Sequence, residues 1–244
     1  MYVERPSRVR GAVVWSRSIT EPQPTRILPD GCMDLIWVGG QVMIAGPDRR
    51  ASVYTGRAGA RLTGLRLAPG FAPSVIGMPA SEFTDRRVLL AEVWPASAVD
   101  SLVDRLGLSV DPGTGLEDLV LGRGLTPDPT VVEIVRQVRR GESIASVAEA
   151  VGYSDRQLHR RCLEAFGYGA KRLARILRLE RALELARQGA RYADTASVAG
   201  YADQAHLARD VSELAGVTLS QLLAESGNGE YRSTELPSGS CTTA

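Results

Sequence analysis

Ala148-Glu149-Ala150-Val151-Gly152-Tyr153 and Ala196-Ser197-Val198-Ala199-Gly200-Tyr201 are two copies of one pattern, 48 residues apart. Each reads as a short helix, a tight turn opened by Gly-Tyr, and a second helix starting at Ser154 or Asp203. That is the helix-turn-helix layout: small alanines let two helices cross closely, glycine turns the chain, and the second helix is free to lie in a DNA major groove. Any helical hairpin has one such turn, whereas two copies joined by an amphipathic helix are far harder to obtain by accident.

The flanking sequence carries matching punctuation. Thr130 with Glu133 forms a candidate capping box, followed by Val131, Ile134, Val135 and Val138 and a stop at Gly141. A short helix over 143–151 stops at Gly152, and Ser154 with Gln157 opens the next, which ends near Gly167. Residues 170–188 give a long helix with Leu173, Ile176, Leu179, Leu183 and Ala186 on its apolar face. Asp194 and Asp203 start two more helices, ended by Gly200 and Gly216.

Upstream, the period changes from helix to strand. Val9, Gly11, Val13 and Trp15 alternate, and Leu35–Val38 and Gln41–Ile44 flank Gly39-Gly40, the signature of a tight hairpin. Residues 61–67 alternate again, prolines and glycines punctuate 69–79, and 81–90 is ambiguous between helix and strand. Ala98, Leu102 and Leu106 share a helical face that Gly107 would end, and the Gly- and Pro-rich stretch 111–129 reads as a connector and the main domain boundary. The class is therefore α+β: a small antiparallel β barrel or sandwich over 1–95, a helix and connector over 96–129, an all-α domain over 130–225, and a polar, disordered tail over 226–244.

The 244 residues are 44% apolar and 23% charged, enough for an ordinary core without disulfide or metal staples. The longest uncharged run, 67–81, is broken by three prolines, so no membrane span is expected, and the charged N-terminus lacks a signal-peptide core. Three scattered cysteines, Cys32, Cys162 and Cys241, fit a reducing cytoplasm, and the two histidines exclude an all-histidine metal site. No metal or other cofactor is called for. The net charge of +1 hides an uneven distribution: 156–191 holds ten Lys or Arg against three Asp or Glu, while 192–225 holds one against five. A compact basic block points to a polyanion such as nucleic acid, although charge alone fits a solvated helix face equally well. Arginine outnumbers lysine 28 to 1, a composition typical of high-GC bacterial genomes.

Residues 143–223 resemble the paired helix-turn-helix domain of AraC-type transcriptional regulators. The resemblance is carried by Val147-Ala148, Gly152-Tyr153-Ser154, Leu158 with Arg160, Arg178-Leu179 with Ala182, and Gly200-Tyr201 with Asp203, Leu207 and Arg209. The N-terminal region is similar to that of a subgroup with an uncharacterised β-rich domain, through 29–36 (PDGCMDLI) and 65–70 (LRLAPG). Departures are Cys162 and Val211 where the family usually has an aromatic residue, and Ala170 and Leu219 where it usually has proline. In the second recognition helix Ala205, Ala208 and Asp210 replace polar or basic residues, and an aspartate near phosphates would be repelled.

The resemblance implies a sequence-specific DNA-binding regulator reading two successive major grooves of double-stranded DNA. Arg156, His159 and Arg160 share one face of the first recognition helix and are base-edge candidates, since an arginine fork matches guanine O6 and N7. Arg160 has a rival role as an ion pair with Glu164, and Gln157 reads as a cap. On the second helix Gln204 and Arg209 are the candidates, with Arg209 equally placed to pair with Glu213 and His206 read as a surface residue. Arg161, Lys171, Arg172 and Arg175 are phosphate candidates. Trp15, Trp37, Phe71 and Trp94 would line an effector pocket or equally form the barrel core. Cys32 beside Asp30 and Asp34 reads as a buried structural thiol. Further candidate partners are a small-molecule effector, RNA polymerase and a second copy of the chain, with the 96–106 helix as the dimer element by analogy. The implied location is the bacterial cytoplasm, at the nucleoid when bound. The rival function is a ligand-binding or enzymatic β-barrel protein whose helix-turn-helix pair serves protein interaction. No catalytic residue stands out, because 1–142 contains no histidine and its carboxylates have no telling spacing.

Overall fold

The computed structural model describes residues 1–226. The tail expected over 226–244 lies outside them except for Ser226, which ends a helix. Eight strands among the described residues lie in the N-terminal part: β1 (Tyr2–Pro6), β2 (Val13–Ser18), β3 (Pro24–Ile27), β4 (Met33–Val38), β5 (Gln41–Ala45), β6 (Ser52–Thr55), β7 (Arg61–Leu67) and, after a short helix, β8 (Arg87–Leu89). Six form an antiparallel sheet in the order β1-β2-β7-β4-β5-β8, and β3 and β6 pair as a separate ribbon. The β4–β5 hairpin turns on Gly39 and Gly40, at φ of 57° and 77°, the left-handed pair that a two-residue primed turn requires.

Alternation along β4 sorts the two sides of the sheet. Met33 and Leu35, with Trp37 beside them, face a core shared with helices α1 (Ala72–Ile76), α2 (Ala96–Leu108) and α3 (Pro112–Leu121). Asp34 and Ile36 face the other way, toward the β3–β6 ribbon.

Several local expectations are corrected. Val9 and Gly11 belong to a turn rather than a strand, and Val13, Val14 and Trp15 are all buried because both faces of β2 are covered. The buried stripe of α2 is Val99, Leu102 and Leu106, with Ala98 exposed, and the helix runs through Gly107 to Leu108. Much of the connector is α3, capped by Asp111 with Pro112 in its first turn. Its glycines serve close packing: a Cβ on Gly113 would stand 2.5 Å from Val14 Cγ1. The linker shrinks to about 122–128.

The helical half comprises α4 (Pro129–Arg139), α5 (Ile144–Ala150), α6 (Asp155–Phe166), α7 (Ala170–Arg187), α8 (Tyr192–Ala199), α9 (Gln204–Ala215) and the unanticipated α10 (Leu219–Ser226). Asp128, not Thr130, caps α4, and Glu133 is drawn to Arg136 and Gln137 instead. Asp194 lies in the first turn of α8 rather than at its cap. One core joins α4–α6 to the front of α7, and another joins the rear of α7 to α8–α10. Leu28, from the β-rich half, completes the second. No helix among the described residues is long and apolar enough to cross a membrane.

Candidate nucleic-acid interface

The first recognition helix, α6, is opened by a reciprocal capping box in which Ser154 accepts from the Gln157 amide and Gln157 accepts from Ser154 N at 2.9 Å. Gln157 is thus a cap. Leu158, Cys162, Ala165 and Phe166 turn inward, which leaves Arg156, His159 and Arg160 exposed together. Arg156 has no ion pair with another described residue. Arg160 approaches Glu164 at 4.0 Å but keeps 75% of its side chain in solvent, a loose contact that leaves the guanidinium available.

The phosphate candidates divide. Lys171 is exposed. Arg161 instead bridges Asp128, the α4 cap, and Glu164 at 3.3 Å, tying α6 to α4. Arg175 is committed inward: Nε and Nη2 donate to Asp210 at 2.7 and 2.5 Å, and the fork also holds Glu213 at 3.1 and 2.6 Å. Arg172 joins the same group, 3.6 Å from Glu213. These three arginines staple helices rather than stand free for DNA.

That network changes the meaning of the second unit's acidity. Asp210 is only 4% exposed, and it accepts from Arg175 and, at 3.1 Å, from the Tyr201 hydroxyl. It is a neutralised core group and presents no charge to a phosphate. Glu213 is held below the usual carboxylate range by Arg175, and its ion pairs among the described residues are with Arg175, Arg172 and Arg50 rather than Arg209. Gln204 and Arg209 stand exposed on α9, and Arg209 has no ion pair with another described residue. His206 is half-buried, edge-on to Tyr201 at 5.1 Å.

A cavity of about 920 Å³ lies between the sheet and the β3–β6 ribbon. Trp15 lines it, its indole N–H donating to Asp34 at 2.6 Å. Trp37, Phe71 and Trp94 do not: alternation or helix packing places them in or against the opposite core. Trp94 is fixed there by a hydrogen bond to the Ile76 carbonyl (2.8 Å) and by Arg123 over its ring. Arg66, beside Asp30 at 3.3 Å and Asp34 at 3.5 Å, and Arg87, forked onto Asp48, are among the charged residues that line it. The sequence showed Asp34 only as a neighbour of Cys32; its place in β4, one residue before Leu35 and so on the opposite face, and the ribbon that encloses it emerge from the fold. Burial pushes the Cys32 thiol up and Cys162 up to about 12, so neither is a reactive thiolate.

The cavity touches the helical half. Arg172 of α7 lines its rim, and the ribbon and its flanking loop grip the carbonyl end of α9: Arg26 donates to Ala215 O at 2.9 Å and Ala51 N to Leu214 O at 2.7 Å. At the end of α6, Thr84 donates to Gly167 O at 3.1 Å. Helix C-termini carry unpaired carbonyls and partial negative charge, so an arginine and two other donors satisfy both recognition helices from the β-rich half.

The chain sets two helix-turn-helix units, joined by one long helix, behind a β-rich N-terminal half. A helix-turn-helix domain family matches residues 133–225, and a domain of unknown function (DUF6597) matches residues 11–89. The chain thus carries a helix-turn-helix domain behind an N-terminal DUF6597 domain. No curated protein matches it. Among solved structures it is similar in fold to ToxT from Vibrio cholerae. A 1.65 Å structure shares 11% identity, covering 88% of this chain and 97% of that one with a TM-score of 0.49. ToxT of strain O395 bound to (E)-4-(8-methylnaphthalen-1-yl)but-3-enoic acid gives 11%, 92%, 98% and 0.49. Unsaturated fatty acid-bound ToxT of strain SCE256 gives 12%, 90%, 96% and 0.48.

Proposed function

We propose that this chain is a transcriptional regulator that places α6 and α9 in successive major grooves of one operator and answers to a small molecule held in the cavity behind the β3–β6 ribbon. The observation that carries the reading is the paired arrangement itself: two capped recognition helices, each packed on one end of α7, with Arg156, His159 and Arg160 exposed on the first and Gln204 and Arg209 on the second. Arg156, Arg160 and Arg209 read base edges, and Lys171 meets a phosphate. The first unit supplies most of the affinity, because it presents more unpaired positive charge. The cavity wall that includes Arg172 and the ribbon that grips α9 offer the effector a route to the second unit. A second copy docks through the exposed side of α2, RNA polymerase is the further protein partner, and the work is binding, carried out in the bacterial cytoplasm.

The test is fluorescence anisotropy with duplexes selected from a random pool, titrated from low to physiological salt. Binding should be salt-steep, and Arg156→Ala should lose about 1–3 kcal/mol on the selected site with relaxed preference at one or two base pairs. Unchanged affinity for selected and scrambled duplexes would remove Arg156 from the interface.

A further inference from the structure

Matched by their caps and inward residues, the two recognition helices correspond with a shift of one residue relative to the turns that precede them. The Gly-Tyr turns repeat at 48 residues, but the caps do not: Ser154 matches Asp203, and the left-handed C-caps Gly167 and Gly216 match each other. The inward residues agree, with Leu158 on Leu207, Cys162 on Val211, Ala165 on Leu214 and Phe166 on Ala215. Ala202 is the extra residue in the second turn. In this register Arg156 stands where Ala205 stands, His159 where Ala208 stands, and Arg160 where Arg209 stands, all six exposed. The next pair, Arg161 and Asp210, is structural in both units, held by Asp128 and by Arg175.

The outward faces therefore offer different chemistry. The face of α6 carries two guanidinium forks and an imidazole, with the Asp155 carboxylate in its first turn, and that of α9 carries one fork and two methyl groups, with the Gln204 amide at the matching position. In the major groove a fork selects guanine through O6 and N7, a glutamine amide selects adenine through N6 and N7, and an alanine methyl packs on the C5 methyl of thymine. Because Asp210 is buried on Arg175, the α9 face has no carboxylate at this position to repel the DNA.

We propose that the operator is chemically lopsided: the half under α6 is specified by guanines, and the half under α9 by one guanine, read by Arg209, within A·T pairs whose thymine methyls rest on Ala205 and Ala208. This rests on the DNA-binding reading and adds base identities to it. The two units are unequal readers, and the second recognises shape-fitting methyls more than hydrogen-bonding groups.

The experiment selects duplexes from a random pool with the full chain, then with Arg160→Ala and Arg209→Ala; the half whose preference each variant loses is the half under that helix. Each variant should relax one guanine position, by roughly 5- to 150-fold in discrimination. Replacing dT by dU in the selected site removes only the C5 methyls. In the α9 half this should weaken binding by about 4-fold per contacted methyl, and in the α6 half it should leave affinity unchanged. A selected α9 half rich in G·C, or equal losses from dU in both halves, overturns the lopsided operator while leaving DNA binding intact. No enrichment and no salt-dependent binding to any duplex overturns both.

Discussion

Arg175 and Arg209 carry the same charge and do different work, and burial separates them. Arg209 projects from α9 into solvent, whereas Arg175 spans from α7 to Asp210, whose side chain is 3% exposed. Arg175→Ala would leave that carboxylate with the Tyr201 hydroxyl and no counter-charge. Stranding one partner of a buried pair costs about 3–5 kcal/mol, and the part-exposed guanidinium places this case at the lower end. Thermal denaturation should show a clear fall in Tm for Arg175→Ala, with the salt slope of DNA binding unchanged well below Tm. Arg209→Ala should leave Tm where it is. A stable Arg175→Ala protein whose salt slope is shallower by about one counterion would return Arg175 to the phosphate backbone.

At the scale of elements, what was legible followed from how local each signal is. The helix boundaries at Ser154 and Gly167 were readable because cap and stop lie within the segment they define, and Gly39-Gly40 announced its hairpin for the same reason. The short strands β1, β3 and β6 gave no periodicity, since their existence depends on partners: β3 pairs with β6 across the whole β4–β5 hairpin. In the candidate site, the exposed face of α6 was legible from helical spacing, while the pairing of Arg161 with Asp128 and the inward use of Arg172 and Arg175 depend on carboxylates 33 to 41 residues away in sequence, which no local pattern reveals. The misread connector is the sharpest case. The glycines of α3 look like linker composition until Val14 is seen against Gly113, and Glu117 looks like a surface residue until its partners appear.

Glu117 is buried at 1% exposure and accepts from Arg5 at 3.0 Å, Ser7 Oγ at 2.8 Å, Arg8 N at 2.7 Å and Arg8 Nε at 3.1 Å. Burial pushes its carboxyl up, but these donors outweigh it and hold the group down to about 2. A carboxyl depressed from 4.5 stabilises the fold above that value and loses its contribution as pH falls through 2. Melting curves between pH 5 and pH 2 should lose up to about 3 kcal/mol from this group. In Glu117→Gln, that part of the acid dependence should vanish; an undiminished slope would place the sensitivity elsewhere.

Over the whole molecule, α7 is the beam on which both helix-turn-helix units and the β-rich half meet. Glu180 lies on its side facing a groove of about 1700 Å³ between α7, the α4–α5 turn and β1. Burial, followed by the field of Asp30, raises its carboxyl to about 8. The sign is opposite to that of Glu117: stability is full below 4.5 and is lost as pH rises through 8. Tm should therefore decline from pH 6 to pH 9, and Glu180→Gln should flatten the decline; an equally steep fall in the variant would exonerate Glu180.

Leu28, contributed by the loop after β3, fills the core of the second helix-turn-helix unit. A DNA-reading half detached at the 122–128 linker would keep its sequence and its caps and yet carry an open apolar socket, together with two helix ends stripped of Thr84, Ala51 and Arg26. The β-rich half and the helix-turn-helix half are consequently not interchangeable parts. A chimera that grafts this helical half onto a foreign N-terminal domain inherits a vacancy shaped for one leucine, and the donor domain would have to bring that plug with it.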